Sequence, residues 1–487
     1  MSPSKNLPIY QLAPDLSVSR VITGLWQIAD MERGGQKVNL EDKSEAMKEY
    51  VDRGFHSFDM ADHYGSAEDI IGVYKNKYQA ESPITAMTKW VPEPGLMNKD
   101  KVREAVNVAR KRMQTEQIDV MQFHAWNYAD PNWLDALTYL QELKQEGLIK
   151  HLGLTNFDTA HLKMVLTNGI EVISNQVCFS LLDMRAAGKM TALCHSSGVR
   201  LFAFGTLAGG FLSDKWYDKN EPIDEKKLNW SQMKYKRFID EAGGWQQYQK
   251  LMTVLNQLAS EKSVSISNIA SRYMLEQEAV AAIIVGARLG ENNHNADNLK
   301  TFSFDFNEQD KIRVDTVLKN LKTIPGDCGD EYRKPPFLTA SGDLSHHLET
   351  FTPPYPTTEG KDGRTKALSG TVWEDLAGFS RAVRKGNTIT ISGTTATHGN
   401  DVIGENDAAL QTHFVLDKIE GALQSLGAKL DDVIRTRIFI RNMEDWEAIA
   451  RVHGERFSDI QPANTLVQAA LVGEEYLVEI EADALLM

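Results

Sequence analysis

The chain has 487 residues, which exceeds one ordinary domain and is long enough for two separate cores. Its formal net charge of -14 leaves no basic surface for phosphate groups, so neither nucleic acid nor membrane is expected as a partner. The polar start of the chain and the lack of a long apolar run predict a cytoplasmic protein. The three cysteines are widely spaced and fit neither a disulfide framework nor a metal site, so no metal is expected.

Short apolar or β-branched runs alternate with helical patterns over residues 1–325, which is typical of βαβ units and a parallel sheet. The predicted strands are 21–25, 56–60, 84–89, 120–124, 152–155, 172–176, 201–204 and 281–285. The predicted helices with an apolar stripe include 44–52, 101–113, 133–144 and 160–166. Two earlier runs, 9–12 and 16–19, predict a hairpin across the bottom of a barrel. Eight strands in this alternation predict an α/β fold, a closed (β/α)8 TIM barrel.

The composition changes after Pro325, where proline, glycine and polar residues without periodicity predict a Pro-rich linker over 326–370. Strands at 388–392, 433–440, 466–470 and 476–485 follow in residues 371–487. Between them lie a helix with Leu410, Phe414, Ile419 and Leu423 on one side and a second helix at 446–457. These elements predict a second domain, small and of the α+β class.

Polar residues end several predicted barrel strands, where barrel enzymes place their chemistry. Asp59 ends the second strand, Lys89 the third and His124 the fourth, and Tyr64 follows in the loop after Asp59. Together these groups can protonate a carbonyl oxygen while hydride reaches its carbon. We expect Tyr64 to be the acid, with a pKa lowered by Lys89. Asp59 would hold Lys89, and His124 would bond the substrate carbonyl.

Residues 7–325 resemble the aldo-keto reductase family on these same positions. The matching segments are Asp59-Met-Ala-Asp-His-Tyr64-Gly65, Thr88-Lys89 and Phe123-His124. The resemblance implies that Asp59, Tyr64, Lys89 and His124 are the catalytic residues. It also implies NADP(H) as cofactor, with NAD(H) not excluded.

The resemblance further implies a set of cofactor contacts around the rim of the barrel. Thr155, Asn156 and Gln176 would hold the nicotinamide carboxamide, and Phe204 would stack beneath the ring. Arg288, in a Gly-Ala-Arg segment, would bind a phosphate of the adenosine half. The implied contacts are Gly24, Leu25, Thr155, Asn156, Gln176, Phe204, Gly205, Thr206, Leu207, Gly286, Arg288, Asp297 and Asn298.

Three tryptophans follow predicted strands and are candidates for the wall of a substrate pocket. Trp26, Trp90 and Trp126 would form an aromatic wall if they face the rim, and packing outside the barrel is the alternative. The long segment 215–244, after the seventh strand, would lie over cofactor or substrate.

The stretch from about residue 377 to 487 resembles the Rid (YjgF) family of enamine/imine deaminases. The matching segments are Phe379-Ser-Arg-Ala-Val, Ile391-Ser-Gly-Thr-Thr, Asp432-Val-Ile-Arg-Thr-Arg-Ile-Phe-Ile and Val478-Glu479-Ile-Glu481-Ala. The resemblance implies a chorismate-mutase-like fold and a trimer, with Glu479 at the position that orients water. Asn464 stands where deaminating members carry an arginine for the substrate carboxylate, and a neutral amide cannot replace that charge.

Three functions stay open at this point. The first is an NADP(H)-dependent reductase acting on a small carbonyl or alcohol substrate, with the Rid-like domain serving oligomerisation or ligand binding. The second is a non-catalytic NADP-binding redox sensor. The third is a bifunctional reductase and imine deaminase. A homo-oligomer, a trimer through the C-terminal domain, is expected in each case.

Overall fold

The computed structural model describes residues 7–28, 38–222, 228–291, 293–333 and 352–487. The strands are β1 (Ile9–Ala13), β2 (Leu16–Ser19), β3 (Val21–Gly24), β4 (Ser57–Asp59), β5 (Thr85–Trp90), β6 (Ile118–His124), β7 (Ile149–Thr155), β8 (Val172–Cys178), β9 (Arg200–Phe204), β10 (Val280–Gly286), β11 (Thr357–Glu359), β12 (Arg364–Ala367), β13 (Ala382–Lys385), β14 (Thr388–Thr394), β15 (Thr397–His398), β16 (Asp401–Val402), β17 (Val433–Ile440), β18 (Ala463–Gln468) and β19 (Val478–Leu485). The α-helices are α1 (Leu40–Val51), α2 (Ala67–Tyr78), α3 (Lys99–Arg112), α4 (Asn132–Gln145), α5 (Thr159–Thr167), α6 (Lys189–Ser197), α7 (Trp230–Glu241), α8 (Trp245–Lys262), α9 (Ile266–Leu275), α10 (Asn295–Lys300), α11 (Glu308–Leu318), α12 (Asp330–Arg333), α13 (Val372–Ala377), α14 (Ala408–Ser425) and α15 (Trp446–Phe457).

Strands β3 to β10 form a closed parallel barrel in chain order, with β10 hydrogen-bonded back to β3. This confirms the predicted eight-stranded barrel, and each predicted strand overlaps an observed one. Parallel strands joined by helices are buried on both faces, which explains their nearly continuous apolar runs. All eight strands therefore end at one rim of the barrel, where their last side chains meet.

The hairpin of β1 and β2 covers the interior of the barrel at the opposite end. The two strands pair antiparallel, as predicted. Leu16 and Val18 are buried against Ile22, Met87 and Phe202, which point into the barrel. The interior is thus a packed core, and chemistry is confined to the rim.

The C-terminal domain is a seven-stranded mixed sheet covered by helices. The strand order is β11-β12-β13-β14-β19-β17-β18, and β17 and β18 are its one parallel pair in the described residues. Helix α14 packs on this sheet, and its Phe414 and Ile419 are fully buried as the apolar stripe predicts. The α+β class predicted for this domain is confirmed.

Two parts of the predicted linker 326–370 are folded. Strands β11 and β12 extend the C-terminal sheet, and helix α12 packs on the barrel. Glu331 of α12 is buried and pairs with Arg185, which also pairs with Asp183. The composition concealed these elements because they are short and are held by residues distant in sequence.

The two domains dock through a cluster of buried charges, here called the interdomain cluster: Asp158, His161, Asp417 and Arg456. His161 Nδ1 lies 2.7 Å from Asp158 Oδ2, and its Nε2 lies 2.8 Å from Asp417 Oδ2 in helix α14. Arg456 of α15 pairs with the second oxygen of Asp417 at 2.7 Å. Tyr128 stacks on the His161 ring at 3.4 Å between centroids. The domains are therefore joined by packing, not only by the chain between them.

No helix within the described residues is long and apolar enough to cross a membrane. The same residues contain no group of three or more His, Cys, Asp or Glu side chains that could hold a metal ion.

Candidate active site

A cavity of about 610 Å³ opens at the rim where the barrel strands end. Of the residues predicted from the sequence, those lining it are Gly24, Trp26, Asp59, Tyr64, Lys89, His124, Trp126, Thr155, Asn156, Gln176, Phe204, Gly205, Thr206, Leu207, Gly286, Arg288, Asp297 and Asn298. The barrel thus brings together the four predicted catalytic residues and nearly all predicted cofactor contacts.

Lys89 and Asp59 form a buried ion pair at the base of the cavity. Lys89 Nζ lies 2.7 Å from each carboxylate oxygen of Asp59. Gln122 and Gln176 also donate to Asp59 Oδ1, at 3.0 and 2.7 Å. Neighbouring parallel strands place these side chains side by side, since Asp59 ends β4 and Lys89 lies near the end of β5. The carboxylate is well supplied with donors, which a buried charge requires.

Tyr64 lies in the turn after β4, with its ring beside Lys89. The ammonium of Lys89 is 5.0 Å from the ring centroid, and Trp26 packs edge-on against the same ring at 4.9 Å. Burial raises the pKa of Tyr64 well above its ordinary value, and the nearby Asp59 carboxylate raises it further. The predicted lowering by Lys89 is therefore wrong, because burial of the phenol and the Asp59 carboxylate outweigh the effect of the Lys89 ammonium, which stays charged in its ion pair with Asp59. Tyr64 is a protonated phenol at neutral pH, the form that donates a proton.

His124 is oriented by the backbone of the next strand. Its Nδ1 lies 3.1 Å from the carbonyl oxygen of Thr155. A carbonyl oxygen only accepts, so Nδ1 carries the hydrogen. A neutral His124 then has Nε2 as an acceptor, suited to a substrate hydroxyl, whereas donation to a carbonyl requires the protonated ring.

Two polar atoms in the cavity wall fit the carboxamide of a nicotinamide ring. Thr155 Oγ1 and Asn156 Oδ1 are buried and have no hydrogen-bond partner among the residues that the structure describes. Asn156 adopts a left-handed backbone with a φ of 59°. Its carbonyl oxygen accepts from Arg333 Nη1 of α12 at 2.6 Å. A primary carboxamide offers donors and an acceptor to such groups, so the residues present fit the expected cofactor.

The wall near the expected adenosine end is fixed by contacts that the sequence did not indicate. Arg288 is exposed, and its carbonyl oxygen accepts from Lys43 Nζ at 3.0 Å. Lys43 also pairs with Glu291 at 2.8 Å. Asp297 accepts from Ser265 Oγ at 2.9 Å. Arg288 is thus presented at the surface on a loop tied down by a buried lysine.

Leu25 and Trp90 do not line the cavity, which corrects the prediction for both. Leu25 is fully buried and donates its backbone N–H to the Asp59 carbonyl oxygen at 2.9 Å. Trp90 packs against Phe123 with ring centroids 5.7 Å apart. Successive strand residues point to opposite faces, so a residue that follows an inward-pointing Lys89 points outward.

Lys234 and Tyr332 line the same cavity but were not assigned from the sequence. Lys234 lies in α7, within the segment 215–244 that was expected to cover the site. Tyr332 lies in α12, and its ring centroid is 5.8 Å from that of His124. The sequence did not identify Tyr332 as a site residue because it lies in a Pro-rich stretch, and its position depends on how the chain after the last barrel helix folds back onto the rim.

Comparisons with known proteins agree with this geometry. The model of the aldo/keto reductase family matches residues 20–319, more than half of the chain. The chain belongs to the aldo/keto reductase family. The model described as Endoribonuclease L-PSP matches residues 372–486, the C-terminal domain.

Each domain has relatives of its own. The chloroplastic pyridoxal reductase of Arabidopsis thaliana is 22% identical over 323 residues, covering 62% of this chain and 84% of that protein. The 3-aminoacrylate deaminase RutC of Acinetobacter baylyi is 37% identical over 110 residues, covering 22% of this chain and 87% of that protein. The solved structure of a glycerol dehydrogenase from Gluconobacter oxydans superposes with a TM-score of 0.53 at 21% identity, covering 67% of this chain and 98% of that one. This last likeness concerns the barrel fold alone.

Proposed function

We propose that the barrel is a nicotinamide-dependent oxidoreductase that interconverts a carbonyl compound and its alcohol, with NADP(H) as the preferred cofactor. The observation that carries the proposal is the position of Tyr64 beside the Lys89–Asp59 pair, in the same cavity as the unpartnered Thr155 and Asn156 atoms. The name of the pyridoxal reductase supports an aldehyde as substrate.

Each of these side chains has a separate role in the proposed reaction. The bound nicotinamide supplies or accepts hydride. Tyr64 donates its phenolic proton to the carbonyl oxygen during reduction and takes it back during oxidation. The ion pair of Lys89 with Asp59 holds a positive charge next to the phenolate that forms. His124 Nε2 accepts from the hydroxyl of the alcohol, or donates to the carbonyl oxygen when the ring is protonated, and so positions that oxygen near Tyr64.

The choice of cofactor rests on Arg288. An exposed guanidinium that lines the cavity can bind the 2'-phosphate of NADP(H) through two parallel hydrogen bonds. NAD(H) lacks that phosphate and would gain nothing from Arg288. NADP(H) is therefore the proposal, and NAD(H) is the alternative.

The proposal is tested by following NADPH and NADH oxidation with a panel of aldehydes, pyridoxal among them, in the wild type and in Tyr64→Phe. The variant should bind NADPH as the wild type does but lose at least about 100-fold in kcat, since a positioned general acid contributes that much. Tight NADPH binding with no turnover in either protein would instead support the redox sensor.

For the C-terminal domain we propose a role in assembly as a trimer, or in binding a ligand, within a cytoplasmic protein. Asn464 donates to Thr436 Oγ1 at 2.9 Å, and Thr436 contacts His453 Nε2 at 2.9 Å. The amide is thus occupied within its own domain. Light scattering that gives the mass of a monomer would contradict the trimer.

Imine or enamine deamination is the second candidate function of this domain. The half-buried Glu479, whose pKa is raised by burial and by Glu481, and the name of the RutC relative favour it. Hydrolysis of an enamine releases ammonia and a carbonyl compound, the substrate class of the barrel. Absence of ammonia release from 3-aminoacrylate or 2-imino acids would contradict it.

A further inference from the structure

Lys234 is an almost fully buried cation in the wall of the active-site cavity. The residue is 6% exposed. Its ammonium lies 4.3 Å from the ring centroid of Tyr332 and 5.2 Å from that of Phe204. Aromatic faces attract a cation, but they do not accept all of its hydrogen bonds. A lysine desolvated in this way indicates a ligand or a strong structural partner.

The direct partner of Lys234 is neutral. Its Nζ donates to Tyr332 Oη at 2.5 Å. Within the described parts of the chain, no carboxylate lies within 4.0 Å of this ammonium, and the neighbouring Glu331 and Asp183 pair with Arg185. An ammonium has three hydrogens to donate, so two remain for a molecule in the cavity.

The pair is in the charge state that would bind an anion. Burial lowers the pKa of Lys234, but Tyr332 and Glu331 more than offset it and raise the pKa above its ordinary value. Burial raises the pKa of Tyr332, although Lys234 opposes this. At neutral pH the cavity therefore contains an ammonium and a neutral phenol side by side.

This pair lies near the reacting end of the cavity. The Tyr332 ring is 5.8 Å from His124, and Phe204, the expected platform of the nicotinamide, is beside Lys234. A group held by Lys234 would consequently be only a few bonds from the carbonyl held by Tyr64 and His124.

From these contacts, and resting on the proposed reductase function, we infer that Lys234 and Tyr332 bind an anionic group of the substrate. The substrate class is a carbonyl compound that carries a carboxylate or a phosphate ester near the carbonyl. Lys234 supplies the charge and two hydrogen bonds. Tyr332 positions Lys234 and forms the part of the cavity wall that α12 contributes.

The test compares acids with their neutral esters. Initial rates are measured with 4-oxobutanoate and its methyl ester, and with 4-carboxybenzaldehyde and its methyl ester. The proteins are the wild type, Lys234→Met, Tyr332→Phe and a control, Lys319→Met, which removes an exposed charge just after the end of α11. Methionine fills the space of the lysine stem, and Tyr332→Phe tests the pair should Lys234→Met fold poorly.

The wild type should prefer each acid over its ester. Lys234→Met should raise KM for the acids at least tenfold, leave KM for the esters within about threefold, and keep the Kd of NADPH unchanged. Equal changes for acid and ester would overturn the inference. A loss confined to NADPH binding would show that Lys234 serves a cofactor phosphate instead.

A binding measurement separates this inference from the proposed reaction. Glutarate and inorganic phosphate are titrated calorimetrically into the wild type and Lys234→Met, with and without NADP+. Binding that is lost in Lys234→Met supports the anion site even if no aldehyde is reduced. Turnover of neutral aldehydes with no anion binding in the wild type would sink the inference and leave the reductase intact.

Discussion

Tyr64 shows how burial and charge act together on one phenol. The pKa is raised first by burial and then by Asp59, while the ammonium that would lower it is held by that same carboxylate. A phenol in this state is an acid over the neutral range and gives up its proton only at high pH. In the proposed reaction Tyr64 therefore starts as the proton donor, and removal of its proton requires alkaline conditions or the charge of a bound reactant.

The first prediction concerns the alkaline limb of the pH profile. A raised pKa keeps Tyr64 protonated as pH rises, so kcat/KM for aldehyde reduction should hold to at least about pH 10, the ordinary pKa of a phenol, and fall only above it. In Asp59→Asn the carboxylate that raises this pKa is gone and Lys89 loses its partner. We expect a slower enzyme whose alkaline limb lies at least about one pH unit lower.

The control for this experiment is Asp297→Asn, which removes a carboxylate from the same cavity but from the end that we propose holds the adenosine half of the cofactor. Its alkaline limb should match that of the wild type. A wild-type limb that begins near pH 7 would contradict the prediction and restore the original expectation that Lys89 lowers the Tyr64 pKa.

The four catalytic candidates were predictable from the sequence because each ends a strand or follows one. Strand ends in a parallel barrel meet at one rim whatever the details of packing. The pKa of Tyr64 was not predictable, since it depends on desolvation by neighbours such as Trp26 and on the pairing of Lys89. The wrong prediction for Trp90 has a different cause, because Trp90 follows Lys89 in the same strand and must point away from the site once Lys89 points into it.

At the scale of elements, the short helix α12 shapes the site through two of its four residues. Its Tyr332 forms part of the cavity wall, and its Arg333 donates to the carbonyl oxygens of Asn156 and Ala125. Gly329 precedes it with a φ of 84°, and a Cβ there would overlap the Asn156 carbonyl oxygen. The helix can approach Asn156 only because residue 329 lacks a side chain.

The second prediction follows from that contact. Gly329→Ala should push α12 away from Asn156, raising the Kd of NADPH and the KM of the aldehyde each by about tenfold. A left-handed alanine alone costs roughly 1–2 kcal/mol. Gly198→Ala is the matched control, because its φ is 82° and nothing lies within 4 Å of the added Cβ.

Both variants should lose stability in urea titrations, Gly329→Ala more than Gly198→Ala because of the overlap with Asn156, but only Gly329→Ala should change the binding constants. Equal binding by the two variants would mean that α12 does not position Asn156. Cofactor affinity can be followed by the quenching of tryptophan fluorescence, since Trp26 and Trp126 line the cavity.

The long elements were predictable from their periodicity, and the short ones were not. The strand 433–440 and the helix 446–457 agree with β17 and α15 at both ends. Helix α12 has four residues, too few for a repeating apolar pattern, and is held by Arg185 and Asn156, far away in sequence. Strand β11 is exposed along its length, so it carries no alternation either.

At the scale of the whole molecule, the interdomain cluster couples the barrel to the second domain. Burial lowers the pKa of His161, but Asp158 and Asp417 more than offset it and raise it to about 9. The pKa of Asp417 falls to about 2 despite burial, because His161 and Arg456 favour its charged form. The cluster at neutral pH is therefore fully ionised, with His161 as a cation between two carboxylates.

The third prediction is a stability difference that depends on pH. A histidine whose pKa is raised by folding stabilises the folded state below its unfolded pKa of about 6.5, and this stabilisation is lost as pH rises through about 9. His161→Gln should thus lower the free energy of unfolding by about 3 kcal/mol near pH 6. The gap between the two proteins should close toward pH 10.

Calorimetry supplies the measurement, with His151→Gln as the control, since His151 also pairs with an aspartate, Asp15, but within the barrel alone. The wild type should unfold in one transition at pH 6, and His161→Gln should show two. A gap that is constant from pH 6 to 10 would mean that His161 is not charged in the folded protein.

Two domains could be predicted from the change in composition, but the docking between them could not. The contacts that join them, such as Asn127 to Gln424 at 2.9 Å, link single polar residues far apart in sequence. Such pairs leave no periodic pattern. Gly421 likewise lets α14 approach the carbonyl oxygen of Ala129. A glycine within a helix does not indicate in the sequence which residue it will contact.

The packing of α12 on the barrel determines where the barrel can be separated from the second domain. A fragment that ends where the family match ends, at residue 319, would keep the four proposed catalytic side chains and lose Tyr332 and Arg333. The cavity of this fragment would be open where Tyr332 forms its wall in the intact chain. We expect the fragment to be less selective among substrates than the intact chain. A shortened chain made to study the barrel by itself would therefore need to extend to residue 333, into the start of the connection to the second domain.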